Sequence, residues 1–138
     1  MLEKKNEHAF DLSLHGGLGR MTIDHHFAGI TRLPVAVQTW VLEPGATEGM
    51  HTHDEPELEE LYIVVSGTAE INQEGEKYQL QKGDSFLSPV GAEHDLVNPS
   101  SEEPLVVVIV WGPPGEFDFT RFESYQKAMA TRGETVSS

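Results

Sequence analysis

The stretch His51-Thr52-His53, followed by Glu60-Leu61-Tyr62-Ile63-Val64-Val65, decides the reading of the chain. Two histidines at i and i+2 in an extended segment project from the same face. Their Cα atoms are then roughly 6–7 Å apart, close enough for two imidazoles to converge on one cation. Glu60 opens the apolar segment that follows, and His94 closes the Pro/Gly-bounded stretch Pro89-Val90-Gly91-Ala92-Glu93-His94. Three imidazoles and one carboxylate form a mixed N/O donor set suited to one divalent transition metal: Fe, Mn, Ni, Co or Zn. The remaining sequence reads as a β scaffold that holds these four side chains.

Working outward, strand signals surround this stretch. Ala9 to Leu14 alternates apolar and polar residues, and Met21 to Phe27 is a weaker candidate. Val35 to Leu42 is rich in β-branched and aromatic residues and stops at Pro44-Gly45. Met50 to His53 is expected as a further strand. Ser66-Gly67 suggests a bulge between Glu60–Val65 and Thr68–Asn72. Glu74-Gly75 is a hairpin signal, followed by short alternating runs at residues 77–80 and 85–88. Leu105 to Trp111 is continuously apolar, as in a strand buried on both faces.

After Gly112-Pro113-Pro114-Gly115 the period changes. Thr120 and Glu123 fit a capping box, and Phe122, Tyr125 or Gln126, and Met129 fall at helical spacing. This predicts a short C-terminal helix at about residues 119–131, with a disordered tail from Glu134 to Ser138. Many short strands separated by turn residues point to an all-β sandwich or barrel, in a single domain spanning residues 1–138.

Composition narrows the function. The 9 Lys and Arg residues against 23 Asp and Glu give a formal net charge of -14, unsuited to a nucleic-acid backbone or an anionic membrane surface. There are no cysteines, so disulfides and thiolate metal sites are excluded. No apolar run approaches the ~20 residues of a membrane span. The opening residues Met1 to Glu7 are charged rather than leader-like, so a cytoplasmic location is expected.

The spacing of these residues resembles the cupin superfamily. The first cupin motif is matched by Gly45, His51, His53, Glu60 and Gly67, and the second by Gly83, Pro89, Gly91, His94 and Asn98. The two motifs occupy residues 45–67 and 83–98. The resemblance implies a jelly-roll barrel, a double-stranded β-helix with His51, His53, Glu60 and His94 around a metal inside it. It also implies a homodimer and a small-molecule substrate. The loop between His53 and the ligand glutamate is longer than is usual in the family, so Glu57, Glu59 and Glu60 all compete for that role. Counting back from Gly67 selects Glu60, and Glu59 should face the opposite way.

Tyr62 shares the inward face with Glu60. It is expected either as a core aromatic with a paired hydroxyl or as a catalytic phenol beside the metal. Gln38 and Trp40 share one face of their strand and can line a substrate pocket or pack. Of the consecutive His25 and His26 at most one can reach such a pocket. His26 is the pocket candidate, and a surface position is the simpler expectation for both. The donor set is compatible with an Fe(II)-type dioxygenase. It also suits a non-redox isomerase, cyclase or lyase, or a non-catalytic metal- or ligand-binding cupin.

Overall fold

The computed structural model describes residues 1–133. Nine strands form two antiparallel sheets. The strands are β1 (Phe10–Asp11), β2 (Met21–His25), β3 (Ala36–Leu42), β4 (Glu59–Ser66), β5 (Ala69–Gln73), β6 (Glu76–Leu80), β7 (Ser85–Ser88), β8 (His94–Val97) and β9 (Leu105–Gly112). One sheet has the order β1-β2-β3-β9-β4-β7 and the other β6-β5-β8. A single helix, α1 (Glu123–Thr131), follows. This is the all-β jelly-roll architecture expected from the two motifs.

The core lies between the sheets, and the period of two in the strands fills it. On β3, residues Ala36, Gln38, Trp40 and Leu42 face inward and the residues between them are half-buried. Glu60, Tyr62 and Val64 do the same on β4. Cross-strand pairing puts Trp40 opposite Val107 and Tyr62 opposite Ile109, so these layers meet in register. Ala69, Ile71 and Leu96 close the core from the smaller sheet. β9 is buried on one face only, not on both as its continuous apolar run suggests, because among the described residues its outer face is left without a covering layer. Leu105, Val107 and Ile109 are fully buried, while Val106, Val108 and Val110 are half-buried on the outer face.

Turn chemistry agrees with the residues present. Glu74 and Gly75 both have positive φ, 49° and 81°, and join β5 to β6, the conformation that suits the twist of a tight hairpin. The bulge lies between Val64 and Ser66, where β4 slips against β9. Gly67 follows with φ 81°, and a Cβ there would meet the Pro104 carbonyl oxygen at 2.5 Å.

Three further expectations need correction. Met50 to His53 is not a strand; only His51 pairs, in one antiparallel bridge with His94. The physical reason is Gly49, whose φ of 103° turns the chain after Glu48 has bonded to the Leu96 carbonyl. β1 is only Phe10–Asp11, shorter than the alternation from Ala9 to Leu14 suggests. The helix begins at Glu123 with Phe122 as its N-cap and no side-chain cap, because the Thr120 hydroxyl is bonded to Asp118 instead. No residue of α1 is buried; Phe119 stacks on Tyr125 and Phe117 on Phe122. The expected disorder of Glu134 to Ser138 lies outside the described residues.

Candidate metal centre and the cavity beside it

Four side chains from three separate segments meet inside the barrel. His51 and His53 come from the segment pinned to β8, Glu60 from the start of β4, and His94 from the start of β8. The Glu60 Oε1 atom is 2.7 Å from His53 Nε2, 2.9 Å from His94 Nε2 and 3.3 Å from His51 Nε2. One ligand atom from each of the four lies within 4.8 Å of the others. Glu57 is exposed in the loop, where it bridges to Asp54, and Glu59 is exposed on the opposite face. Of the three candidates Glu57, Glu59 and Glu60, Glu60 is therefore the one beside the imidazoles.

The hydrogen bonds behind the rings test whether these residues fit a cation. His51 Nδ1 is 2.8 Å from the Gly49 carbonyl oxygen, and His94 Nδ1 is 2.8 Å from that of Ala92. A carbonyl oxygen can only accept, so both Nδ1 atoms carry a hydrogen; each Nε2 then presents a lone pair in the neutral ring and an N–H toward Glu60 in the protonated one. The Ser88 hydroxyl donates to Gln73 and so accepts from the same His94 Nδ1–H at 3.0 Å. Lone pairs on ring nitrogens packed against a carboxylate oxygen repel one another unless positive charge sits among them. Fixing a ring through its far nitrogen is the usual support for an imidazole ligand. The residues present thus fit a divalent ion.

Electrostatics follow from that crowding. Burial alone would raise the Glu60 carboxyl, but with protons rather than an ion on the ring nitrogens, hydrogen bonds from His51 and His94 and the neighbouring His53 bring it down to about 2. Burial would lower His94, yet the Glu60 and Ala92 hydrogen bonds raise it overall. His53 is lowered, chiefly by burial.

Two further groups belong to this centre and had no counterpart in the sequence reading. Glu48 is 1 % exposed. Its Oε1 accepts a 3.0 Å hydrogen bond from the Tyr62 hydroxyl, and its Oε2 is 3.3 Å from His51 Nε2. Burial first, and the negative Glu60 second, push the Glu48 carboxyl well above the usual carboxylate range. Tyr62 is also raised, by burial and by both carboxylates; its hydroxyl lies 3.3 Å from Glu60 Oε2. His15 stacks face to face on His51, with ring centroids 3.7 Å apart and planes 8° apart. Burial and the adjacent His51 and His53 lower it to about 4, so it is neutral at physiological pH.

A cavity of about 210 Å³ opens beside the cluster. Leu14, Ile23, Trp40, Leu58 and Trp111 wall it, while His15, Gln38, Glu48, His53 and Glu60 supply its polar part. Neither lysine nor arginine lines it. Gln38 and Trp40 are thus both cavity-lining residues. Gln38 Oε1 accepts from the indoles of Trp40 (2.8 Å) and Trp111 (3.1 Å), and its amide nitrogen lies 3.0 Å from His25 Nδ1. The amide therefore sets the orientation of two aromatic walls.

His26 is not in this cavity. Strand alternation places His25 inward beside Gln38 and sends His26 to the outer face, with Nε2 2.7 Å from the Thr39 hydroxyl.

The missed groups left faint signals. Glu48 lies between Gly45 and Gly49, and His15 precedes Gly16-Gly17. Those glycines let the two loops touch. A Cβ on Gly49 would collide with the His15 carbonyl, and one on Gly17 with the carbonyl of Thr47. The contact is tertiary, so spacing along the chain does not reveal it.

Comparison with known proteins agrees with this geometry. The family model described as the cupin domain matches residues 38–111. Among curated proteins, the xanthan biosynthesis protein XanB of Xanthomonas campestris pv. campestris, strain B100, is 37% identical over 89 residues. That match covers 63% of this chain and 18% of the relative, so the chain spans less than a fifth of its length. Among solved structures, a predicted oxalate decarboxylase from Thermotoga maritima superposes with a TM-score of 0.72 at 20% identity, covering 83% of this chain and 100% of that one. KdgF from a Halomonas species gives 0.61 at 23% identity, covering 82% and 93%. A cupin 2 conserved barrel domain protein from Salinispora arenicola gives 0.60 at 24% identity, covering 81% and 84%. These structures share the fold.

Proposed function

We propose that this chain, which belongs to the cupin family, is a metal-dependent enzyme that oxidises a small, largely apolar organic molecule with O2. The observation that carries the reading is the convergence of three imidazoles and one carboxylate at the polar end of an apolar-walled cavity. His51, His53, Glu60 and His94 would hold the ion. A divalent transition ion bound by these residues supplies Lewis acidity and, where it is redox-active, as Fe(II) is, access to O2 chemistry.

The other residues define what can enter. The apolar walls formed by Leu14, Ile23, Trp40 and Leu58 favour a ring or short carbon chain. The absence of lysine and arginine from the lining disfavours a phosphate-bearing substrate. Neutral imidazoles with a single carboxylate leave a divalent site with net positive charge, suited to an enolate or a carboxylate. His15 orients His51 through their stacked rings. Addition of both oxygen atoms of O2 to the substrate balances without a further reductant, matching a dioxygenase.

A second reading, non-redox isomerisation or elimination, is favoured by one observation. Glu48 and Tyr62 form a buried hydrogen-bonded pair, and Glu48 lines the cavity, so a proton can be held and moved there. Protein purified without chelator should contain bound transition metal and consume O2 when given small diketones, catechols or flavonols. Turnover that continues unchanged under anaerobic conditions supports the second reading and overturns the first. We extend the proposal to a cytoplasmic homodimer, with solution mass as its test; no helix among the described residues is long and apolar enough to cross a membrane.

A further inference from the structure

The outer face of the larger sheet carries a second group of ligand-type side chains, separate from the barrel interior. Thr22 and Asp24 on β2 and Thr39 and Val41 on β3 face away from the cavity. The segment from Glu3 to Asn6 lies over them and leaves a pocket of about 460 Å³. Glu3 Oε1 accepts the Phe27 N–H at 2.9 Å, which brings that carboxylate to the end of β2. The His26 ring is held by Thr39, as described above. One ligand atom from each of Glu3, Asp24 and His26 lies within 4.8 Å of the others.

Asp24 supplies the second, independent observation. It is 9 % exposed, yet among the described residues its carboxylate takes part in no hydrogen bond or ion pair. No fully buried side-chain polar atom lacks a partner, so the Asp24 oxygens open onto the pocket rather than onto apolar packing. A side chain nine-tenths buried, with an unpartnered carboxylate opening onto the pocket, is placed to ligate a cation there.

We propose that Glu3, Asp24 and His26 form a second divalent-cation site, which clamps the N-terminal segment onto the outer face of β2. Two carboxylates and one imidazole neutralise a divalent charge and suit Zn(II) or Mn(II), with water completing the shell. Lys4 and Lys5 also border the pocket, but they are exposed, and their long side chains can carry the ammonium groups into solvent. The alternative occupant of Asp24 is one of those ammonium groups.

Zn(II) titration of the metal-stripped full-length protein tests this. The expected result is two equivalents for the unaltered chain and one for Asp24→Asn. Glu3→Gln, a change at a half-buried residue of an otherwise exposed N-terminal segment, leaves the barrel untouched and is expected to weaken the second equivalent by tenfold or more. A single equivalent that Asp24→Asn leaves unchanged, or a second equivalent that survives both substitutions, overturns the proposal. Loss of one equivalent in Asp24→Asn is independent of the interior cluster, which is disabled separately by His94→Ala.

Discussion

His94→Ala is expected to lower affinity for a divalent ion at the interior cluster by at least about 100-fold while the barrel stays folded. Loss even of a group that only orients a ligand typically costs 10–100-fold, and His94 is itself a candidate ligand. Its ring is fixed from behind by Ala92 and Ser88, and its Nε2 is 2.9 Å from Glu60 Oε1. Alanine removes that donor and leaves the Ser88 hydroxyl without one partner, at a cost of about 1–3 kcal/mol. The backbone bridge between His51 and His94 is untouched by the change, so the β8 edge keeps its pairing. Isothermal titration with Zn(II), read beside far-UV circular dichroism, checks both halves. Unchanged affinity for the interior equivalent contradicts the ligand assignment.

The second large effect falls on stability. Trp40→Ala is expected to cost about 3–5 kcal/mol, the range for deleting a buried aromatic side chain. Domains of this size are typically stable by only about 5–15 kcal/mol, so the loss is severe. Trp40 is 2 % exposed, packs edge-on against Tyr62, and donates its indole N–H to Gln38. Its removal therefore opens the core and also loosens the amide that holds Trp111. Urea unfolding of the two proteins measures the difference. Val65→Ala, at the exposed bulge position of β4, is the control, with an expected change within about 0.5 kcal/mol. A Trp40→Ala midpoint matching that control contradicts the packing account.

How much was legible in the sequence depended on whether the determining contacts were local. β3 and β9 were readable as strands because β-branched and apolar residues act within one strand, but the unbroken apolar run of β9 hid which of its faces is buried. The cluster of His51, His53, Glu60 and His94 was readable because the glycines and histidines match the spacing of the two cupin motifs. Glu60 was separable from Glu57 by counting from Gly67, since one continuous strand, β4, joins Glu60 to that glycine while Glu57 lies in the preceding loop. His15 and Glu48 were not readable, because two glycine-bearing loops distant in sequence bring them to the cluster. His26 lies outside the interior cavity, in line with the surface position expected for it, while His25 turns inward; neighbours on a strand face opposite ways and the pattern does not say which of the pair points inward. The helix cap failed because Asp118 competes for the Thr120 hydroxyl.

The central claim is that three imidazoles and one carboxylate hold a single transition ion. X-ray absorption at the metal edge tests it most directly, on the Asp24→Asn protein loaded with one equivalent of Zn(II), so that only the interior site contributes. The account predicts nitrogen and oxygen neighbours at about 2.0–2.2 Å, with outer-shell scattering from three imidazole rings. A shell of oxygen alone, without imidazole scattering, would contradict it.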